Sequence, residues 1–101
     1  MSTKSVIIDA VRSPIGTKNG QLVGIRPDDL TAQVIKGLLA RNEKVKPKYI
    51  EDVVVGCAFP EGPQGMIIGR SAAILAGIPK EAGGKVVNRF CGSAMDGLHQ
   101  L

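Results

Sequence analysis

The sequence has no tryptophan, a single tyrosine (Tyr49) and two phenylalanines (Phe59 and Phe90). So few flat side chains leave a base-stacking platform unsupported, and no nucleic-acid partner is expected. Cysteine is equally scarce. Cys57 and Cys91 lie far apart and match no CxxC or zinc-ligand spacing, which argues against a metal site and for free thiols in a reducing, cytoplasmic setting. Long apolar runs are missing as well: after Lys4 the stretch Val6 to Ile8 is broken by Asp9. It is too short for a secretory signal or a membrane span, so no membrane partner is expected. No G-x-G-x-x-G follows that stretch, and Gly62-Pro63-Gln64-Gly65 lacks the Lys-Ser/Thr of a phosphate loop, so no nucleotide cofactor of those kinds is expected.

What is present describes a folded domain. Apolar residues make up 44% and charged residues 22% of the chain, proportions that intend a core and exclude a disordered or fibrous protein. At 101 residues there is room for one small domain with a thin stability margin. The net charge of +4 comes partly from Lys44, Lys46 and Lys48, which alternate around Pro47. So short a run reads as a solvated connection rather than a phosphate-attracting patch.

The pattern along the chain alternates between extended and helical. Ser5 to Val11 reads as a buried parallel strand, being nearly continuously apolar. Arg12 to Pro27 holds Ser13-Pro14, Gly16, Asn19-Gly20 and Gly24, a loop with a tight bend at Asn19-Gly20. Arg12, Pro14 and Gly16 are read as a structural corner. Pro27, Asp28 and Asp29 open a helix carrying Leu30, Val34, Ile35, Leu38 and Leu39 at helical spacing and ending near Arg41-Asn42. A second buried strand is predicted over Ile50 to Gly56, a Pro/Gly-rich loop over Cys57 to Gly65, and a second helix over Met66 to Ala76 stopped by Gly77 and Pro79. The Gly83-Gly84 pair reads as a turn before a third strand, Lys85 to Asn88. Ser93 then starts a third helix with Asp96 completing a capping box. The order β-α-β-α-β-α implies an α/β layered fold on a parallel sheet. The third helix reaches Leu101 with no stop signal and is apolar enough to belong to a larger core, so residues 1–101 read as a partial domain truncated within that helix.

Cys91 falls between the third predicted strand and the first turn of the third predicted helix. Free backbone N–H groups and the positive end of the macrodipole there favour a thiolate and can hold the oxygen of a tetrahedral intermediate. A free cysteine is also, on general grounds, a small buried hydrophobe, and local position does not decide between the two. Cys57, at the exit of a buried strand, reads as a packing residue. His99 lies eight residues beyond Cys91, ~12 Å of helical rise, out of reach for a proton transfer that needs ~3 Å; it reads as a helix-surface or packed imidazole.

The residues around Cys91 carry a resemblance that favours the nucleophile. Val87-Asn88-Arg89-Phe90-Cys91-Gly92-Ser93-Ala94-Met95 resembles the acyl-enzyme cysteine segment of thiolases, V-N-[RK]-x-C-x-S. Asp9-Ala10-Val11-Arg12-Ser13-Pro14-Ile15-Gly16 resembles the opening D-A-x-R-[ST]-P-[IF]-G of the same family, and Gly69-Arg70 through Gly77-Ile78-Pro79 its G-R-x-A-x-L-x-A-G-[IVL]-P run. The likeness covers nearly the whole chain in register and departs at Ala94, where many members have Gly or Ser.

The resemblance implies a thiolase-like layered fold of two similar halves, of which this chain carries part of the first. It also implies an acyltransferase reaction: transfer between a 3-ketoacyl-CoA and CoA, or acetyl-CoA condensation in reverse, through an acyl-thioester on Cys91. Coenzyme A thioesters would be substrates, with no resident cofactor or metal, in a cytoplasmic homo-oligomer of fatty acid metabolism. The family's histidine base and second cysteine lie in later segments, so the chain alone is expected to be inactive. The alternatives are a non-catalytic thiolase-like binding or assembly remnant, and a ketoacyl synthase, which shares the layered fold and a cysteine on a strand-to-helix turn. Acyl-chain length and reaction direction are not legible in these residues.

Overall fold

The computed structural model describes residues 4–101. Helix α1 spans Pro27–Arg41, with Pro27 in its first turn beside Asp28 and Asp29, and Arg41 in its last. Proline fixes φ where no intrahelical N–H bond is needed, and the charges complement the macrodipole. Asp28 also holds Arg26, the residue before the helix, at 3.0 Å. At the far end Asn42 caps the helix, its Nδ2 donating to Leu38 O at 2.9 Å. Upstream of α1, the bend predicted at Asn19-Gly20 is present: Asn19 has φ 58°, and Gly20 N–H donates to Thr17 O at 2.9 Å.

Strands β1 (Asp52–Gly56) and β2 (Gly83–Val87) pair in parallel, with Asp52 opposite Gly83 and Gly56 opposite Val87. The ladder extends past both ends, through Gly83 N–H to Glu51 O (2.8 Å) and Cys57 N–H to Val87 O (3.0 Å). Between the strands runs α2, Ile68–Leu75. Its end is a Schellman motif: Gly77 at φ +82° donates to Ile74 O, and Ile78 N–H to Ala73 O at 2.9 Å. Glycine alone takes that conformation without a Cβ penalty, so Gly77 stops the helix as read from the sequence. Helix α3 covers Ser93–His99.

Side-chain alternation along β1 assigns the layers. Val53 joins the cluster formed by Ala32, Ala73, Ala76, Ile78 and Ala82, so it faces α1 and α2. Val54 points the other way, its Cγ1 lying 3.2 Å from where a Cβ on Gly97 of α3 would stand. The result is an α/β/α layered fold with α1 and α2 on one face and α3 on the other. Contact is close on both faces. A Cβ on Gly69 would strike the backbone of Lys85 and Val53, one on Gly84 the backbone of Arg70, and one on Gly56 the backbone of Ala94.

Four expectations need correction. Ser5 to Val11 is no strand: it pairs with neither β1 nor β2, and Val6, Ile7 and Ile8 are 75%, 75% and 73% exposed. An apolar run predicts burial, but burial requires surfaces on both of its faces, and among the described residues none pairs with its backbone. The segment is instead tied to the end of α1 through Asp9, which accepts from Arg41 Nη2 at 2.8 Å and Asn42 Nδ2 at 2.9 Å. These hydrogen bonds, that of Asn42 foremost, and the Arg41 charge hold the Asp9 carboxyl below its ordinary range. Second, Gly83-Gly84 lies inside β2 rather than in a turn before it; glycine is there because the α2 backbone leaves Gly84 no room for a Cβ. Third, the second helix starts at Ile68 rather than Met66, since Met66 has φ 54°, outside the right-handed region. Fourth, Ser93 is not an N-cap: it is already helical, Gly92 stands at the cap, and no side chain bonds there.

Among the described residues no helix is long and apolar enough to cross a membrane.

Candidate active site

Both strands run in the same direction, so the loops leaving β1 and β2 emerge on one edge of the sheet. That is the edge where open α/β sheets bind their ligands. The loop after β1 carries Cys57 and Phe59, and the segment after β2 carries Cys91. The two meet through Phe59 and Phe90, whose ring centroids are 6.1 Å apart at an interplanar angle of 55°.

Cys91 sits in a single 3-10 turn, Phe90–Gly92, inserted between β2 and α3. The chain enters this turn sharply. Arg89 is at φ −141°, ψ 41°, and Phe90 is at φ +45°, a left-handed conformation that costs an L-residue about 1–3 kcal/mol and persists only when its surroundings impose it. Two polar side chains, Asn88 and Ser93, bond the backbone there. Asn88 Oδ1 accepts from Phe90 N–H at 3.1 Å, an Asx turn that closes the corner. Ser93 Oγ accepts from Arg89 N–H at 2.8 Å and donates to Phe90 O at 2.7 Å, clasping the turn on both sides of Phe90. Asp96 faces Arg89 Nη1 at 3.5 Å across an exposed surface, a pair worth little on its own. Ser93 is buried although polar, and both capacities of its hydroxyl are used.

Held in this way, the Cys91 side chain is exposed, whereas Cys57 is half-buried. The helix-terminal amides expected to be open are largely used by the turn itself. Gly92 N–H donates to Arg89 O at 2.9 Å, and Ser93 N–H donates to Phe90 O. The amide of Cys91 is the one beside the sulfur for which no acceptor is found among the described residues. One free N–H adjacent to a reachable thiol is the minimum for attack on a carbonyl and support of the oxygen that becomes anionic.

His99 is exposed at the last position of α3. The 101 residues contain no other histidine. Arg12 donates to Ser13 O at 3.0 Å, within its own loop, as a corner residue would. Arg70 bridges α2 to the approach of β2, donating to Ala82 O at 2.6 Å and Lys80 O at 3.1 Å. Sequence reasoning singled out Cys91 as the candidate and did not foresee the clasp around it. Ser93 was read as a helix cap, because Ser-x-x-Asp has that signature. The Asx turn at Asn88 was the available signal, as asparagine two residues before a corner commonly bonds its own backbone.

The model of the thiolase N-terminal domain matches residues 5–101. Among curated proteins, the 3-ketoacyl-CoA thiolases of Shewanella baltica and Shewanella putrefaciens are each 48% identical over 98 residues, covering 96% of this chain and 25% of the relative. That of Shewanella loihica is 47% identical over the same length. The chain thus spans about a quarter of the length of the curated relatives it matches.

Proposed function

The chain belongs to the thiolase family, matching its N-terminal domain, and from that premise we propose that it supplies the nucleophile, Cys91, for acyl transfer between a 3-ketoacyl-CoA and CoA. The observation carrying this reading is an exposed thiol on a strained, fully clasped turn at the carboxyl edge of a parallel sheet, beside a free amide. In the cleavage direction the Cys91 thiolate attacks the 3-keto carbon. The oxygen that gains charge is met by the Cys91 N–H. Collapse breaks the bond between C2 and C3, leaving the acyl group on sulfur and a carbanion that takes up a proton to become acetyl-CoA. The thiolate of free CoA then attacks the acyl-cysteine, releasing acyl-CoA and restoring Cys91. Run backwards, the same steps condense two acetyl-CoA molecules.

The proton taken from Cys91 and the one given to the carbanion need partners that these residues do not offer near the turn. A base and an acid from elsewhere in a longer thiolase complete the cycle, in a cytoplasmic homo-oligomer. The test is twofold. In a full-length enzyme carrying these residues, Cys91→Ala abolishes the acyl-thioester detectable by peptide mass spectrometry after 3-ketoacyl-CoA is added; an acyl adduct that survives the substitution overturns the assignment. The 101-residue chain alone is alkylated at Cys91 by iodoacetamide but cleaves no acetoacetyl-CoA; measurable cleavage refutes the dependence on outside partners.

A second reading, an assembly module without chemistry, is favoured by one feature. Val6, Ile7, Ile8, Leu38, Ile50 and Leu98 line an open apolar cleft of about 300 Å³, a surface that gains from being covered. Size-exclusion chromatography with and without a full-length 3-ketoacyl-CoA thiolase separates the readings: co-elution supports the module, and a monomer at all concentrations opposes it.

A further inference from the structure

We infer that Phe59 is a positioning residue for Cys91, acting through Phe90 across the gap between the two loops. The inference rests on the reading of Cys91 as the nucleophile and adds to it a residue from a different segment of the chain.

Three observations meet here. Phe90 is the residue immediately before the sulfur, and it is held at φ +45°, a conformation that a bulky aromatic residue avoids unless something compensates it. The polar clasp by Asn88 and Ser93 holds the Phe90 N–H and C=O but leaves the ring undetermined. The ring is met instead by Phe59 at 6.1 Å and 55°, within the centroid range of favourable tilted pairs. These two residues are 63% and 66% exposed, so the pair is not a by-product of core packing. It is a surface contact between two loops, made by the chain's two phenylalanines.

The backbone under Phe59 is itself pinned. Its carbonyl accepts from Gln64 Nε2 at 2.6 Å and from Glu61 N–H at 2.8 Å. Gln64 belongs to the short 3-10 turn Gly62–Gln64. The loop after β1 therefore presents Phe59 from a braced base, and the ring pair carries that rigidity to the corner before Cys91. Removing the Phe59 ring withdraws the contact that holds the Phe90 ring, and the corner then spends part of its time with φ returned to negative values and the Asn88 and Ser93 bonds to Phe90 released. The sulfur and its adjacent amide turn away together.

The experiment uses the 101-residue chain and needs no turnover, so its failure is separable from failure of the acyl-transfer reading, which is judged by the adduct on the full-length enzyme. The readouts are the intraresidue HN–Hα NOE of residue 90, which is strong only at positive φ, and the rate of Cys91 alkylation by iodoacetamide. Phe59→Ala is expected to weaken the NOE and slow alkylation by about 2–10-fold, the range an aromatic pair supports. Phe59→Tyr, which keeps the ring, restores both. In a Phe90→Gly background, where positive φ carries no penalty and the NOE no longer reports the sign of φ, Phe59→Ala leaves the alkylation rate unchanged, the non-additivity expected of a coupled pair. An unchanged NOE with Phe59→Ala overturns the inference whatever the alkylation rate does, as does an equal effect of Phe59→Ala with and without the Phe90 ring. Should Phe59→Ala lose the fold by circular dichroism, Phe59→Leu, which retains bulk without the ring face, carries the same reading under the same criteria.

Discussion

Adding one methyl group to Gly69 is expected to unfold more of the protein than adding it to Gly37, although both residues are helical. Alanine stabilises a helix interior by about 0.8–1 kcal/mol over glycine. At Gly37 of α1 nothing lies within 4 Å of the added carbon, so Gly37→Ala should show that gain. At Gly69 of α2 the added carbon would stand 2.8 Å from Lys85 N and 2.8 Å from Val53 O, and closer still to Lys85 O. All are backbone atoms of paired strands and cannot swing aside. To regain ordinary contact α2 must lift by roughly 1 Å, and a gap of that size forfeits about a quarter to a half of each dispersion contact along the face. That face includes Ile68, Ala72 and Ala73, all buried. Overpacking of this kind costs about 1–3 kcal/mol, which exceeds the helix gain at the upper end and leaves a net loss of up to about 2 kcal/mol. For a domain this small each kcal/mol moves the melting temperature by about 4–8 °C. Urea and thermal unfolding followed by circular dichroism compare the variants. Finding Gly69→Ala as stable as Gly37→Ala would refute the claim that α2 rests directly on the sheet backbone.

Other outcomes follow from the same geometry. Ser93→Ala removes the bond accepted from Arg89 N–H and the bond donated to Phe90 O. It should cost about 1–3 kcal/mol and slow Cys91 alkylation; unchanged stability in urea would show the clasp to be redundant. Because Cys91 is exposed and Cys57 half-buried, limited iodoacetamide should modify Cys91 first, and peptide mapping that finds Cys57 ahead contradicts the geometry. The Asp9 carboxyl titrates below its unfolded value, chiefly through Asn42. Its contribution is therefore complete above the unfolded value and is lost as pH falls through the lower folded one. Unfolding midpoints should decline below about pH 4, and Asp9→Asn should flatten that decline. An identical pH profile for the two proteins removes Asp9 as the tether.

Much of this was legible in the chain because it depends on local chemistry. Pro27, Asp28 and Asp29 start a helix wherever they occur together before an apolar face, and Gly77 stops one because it takes φ +82° without strain. Cys91 stood out through the residues beside it. Local signals misled where a residue answers to something distant. Gly83-Gly84 has the look of a turn, yet glycine is required there by the α2 backbone lying over Gly84. Ser93 has the look of a cap, yet its hydroxyl turns back to Arg89 and Phe90.

The amino-acid sequence by itself determined where α1 begins and ends, that Gly77 stops α2, and that the class is α/β, and it singled out Cys91 as the candidate sulfur, since each follows from propensities and patterns spanning a few neighbouring residues. Tertiary structure alone decided that Val6 to Ile8 lies exposed while Val53 is covered, that Phe59 reaches Phe90, and that Cys91 emerges on the same sheet edge as Cys57. Those are relations between segments far apart in the chain. They exist only once the parallel pairing of β1 with β2 has brought the segments together.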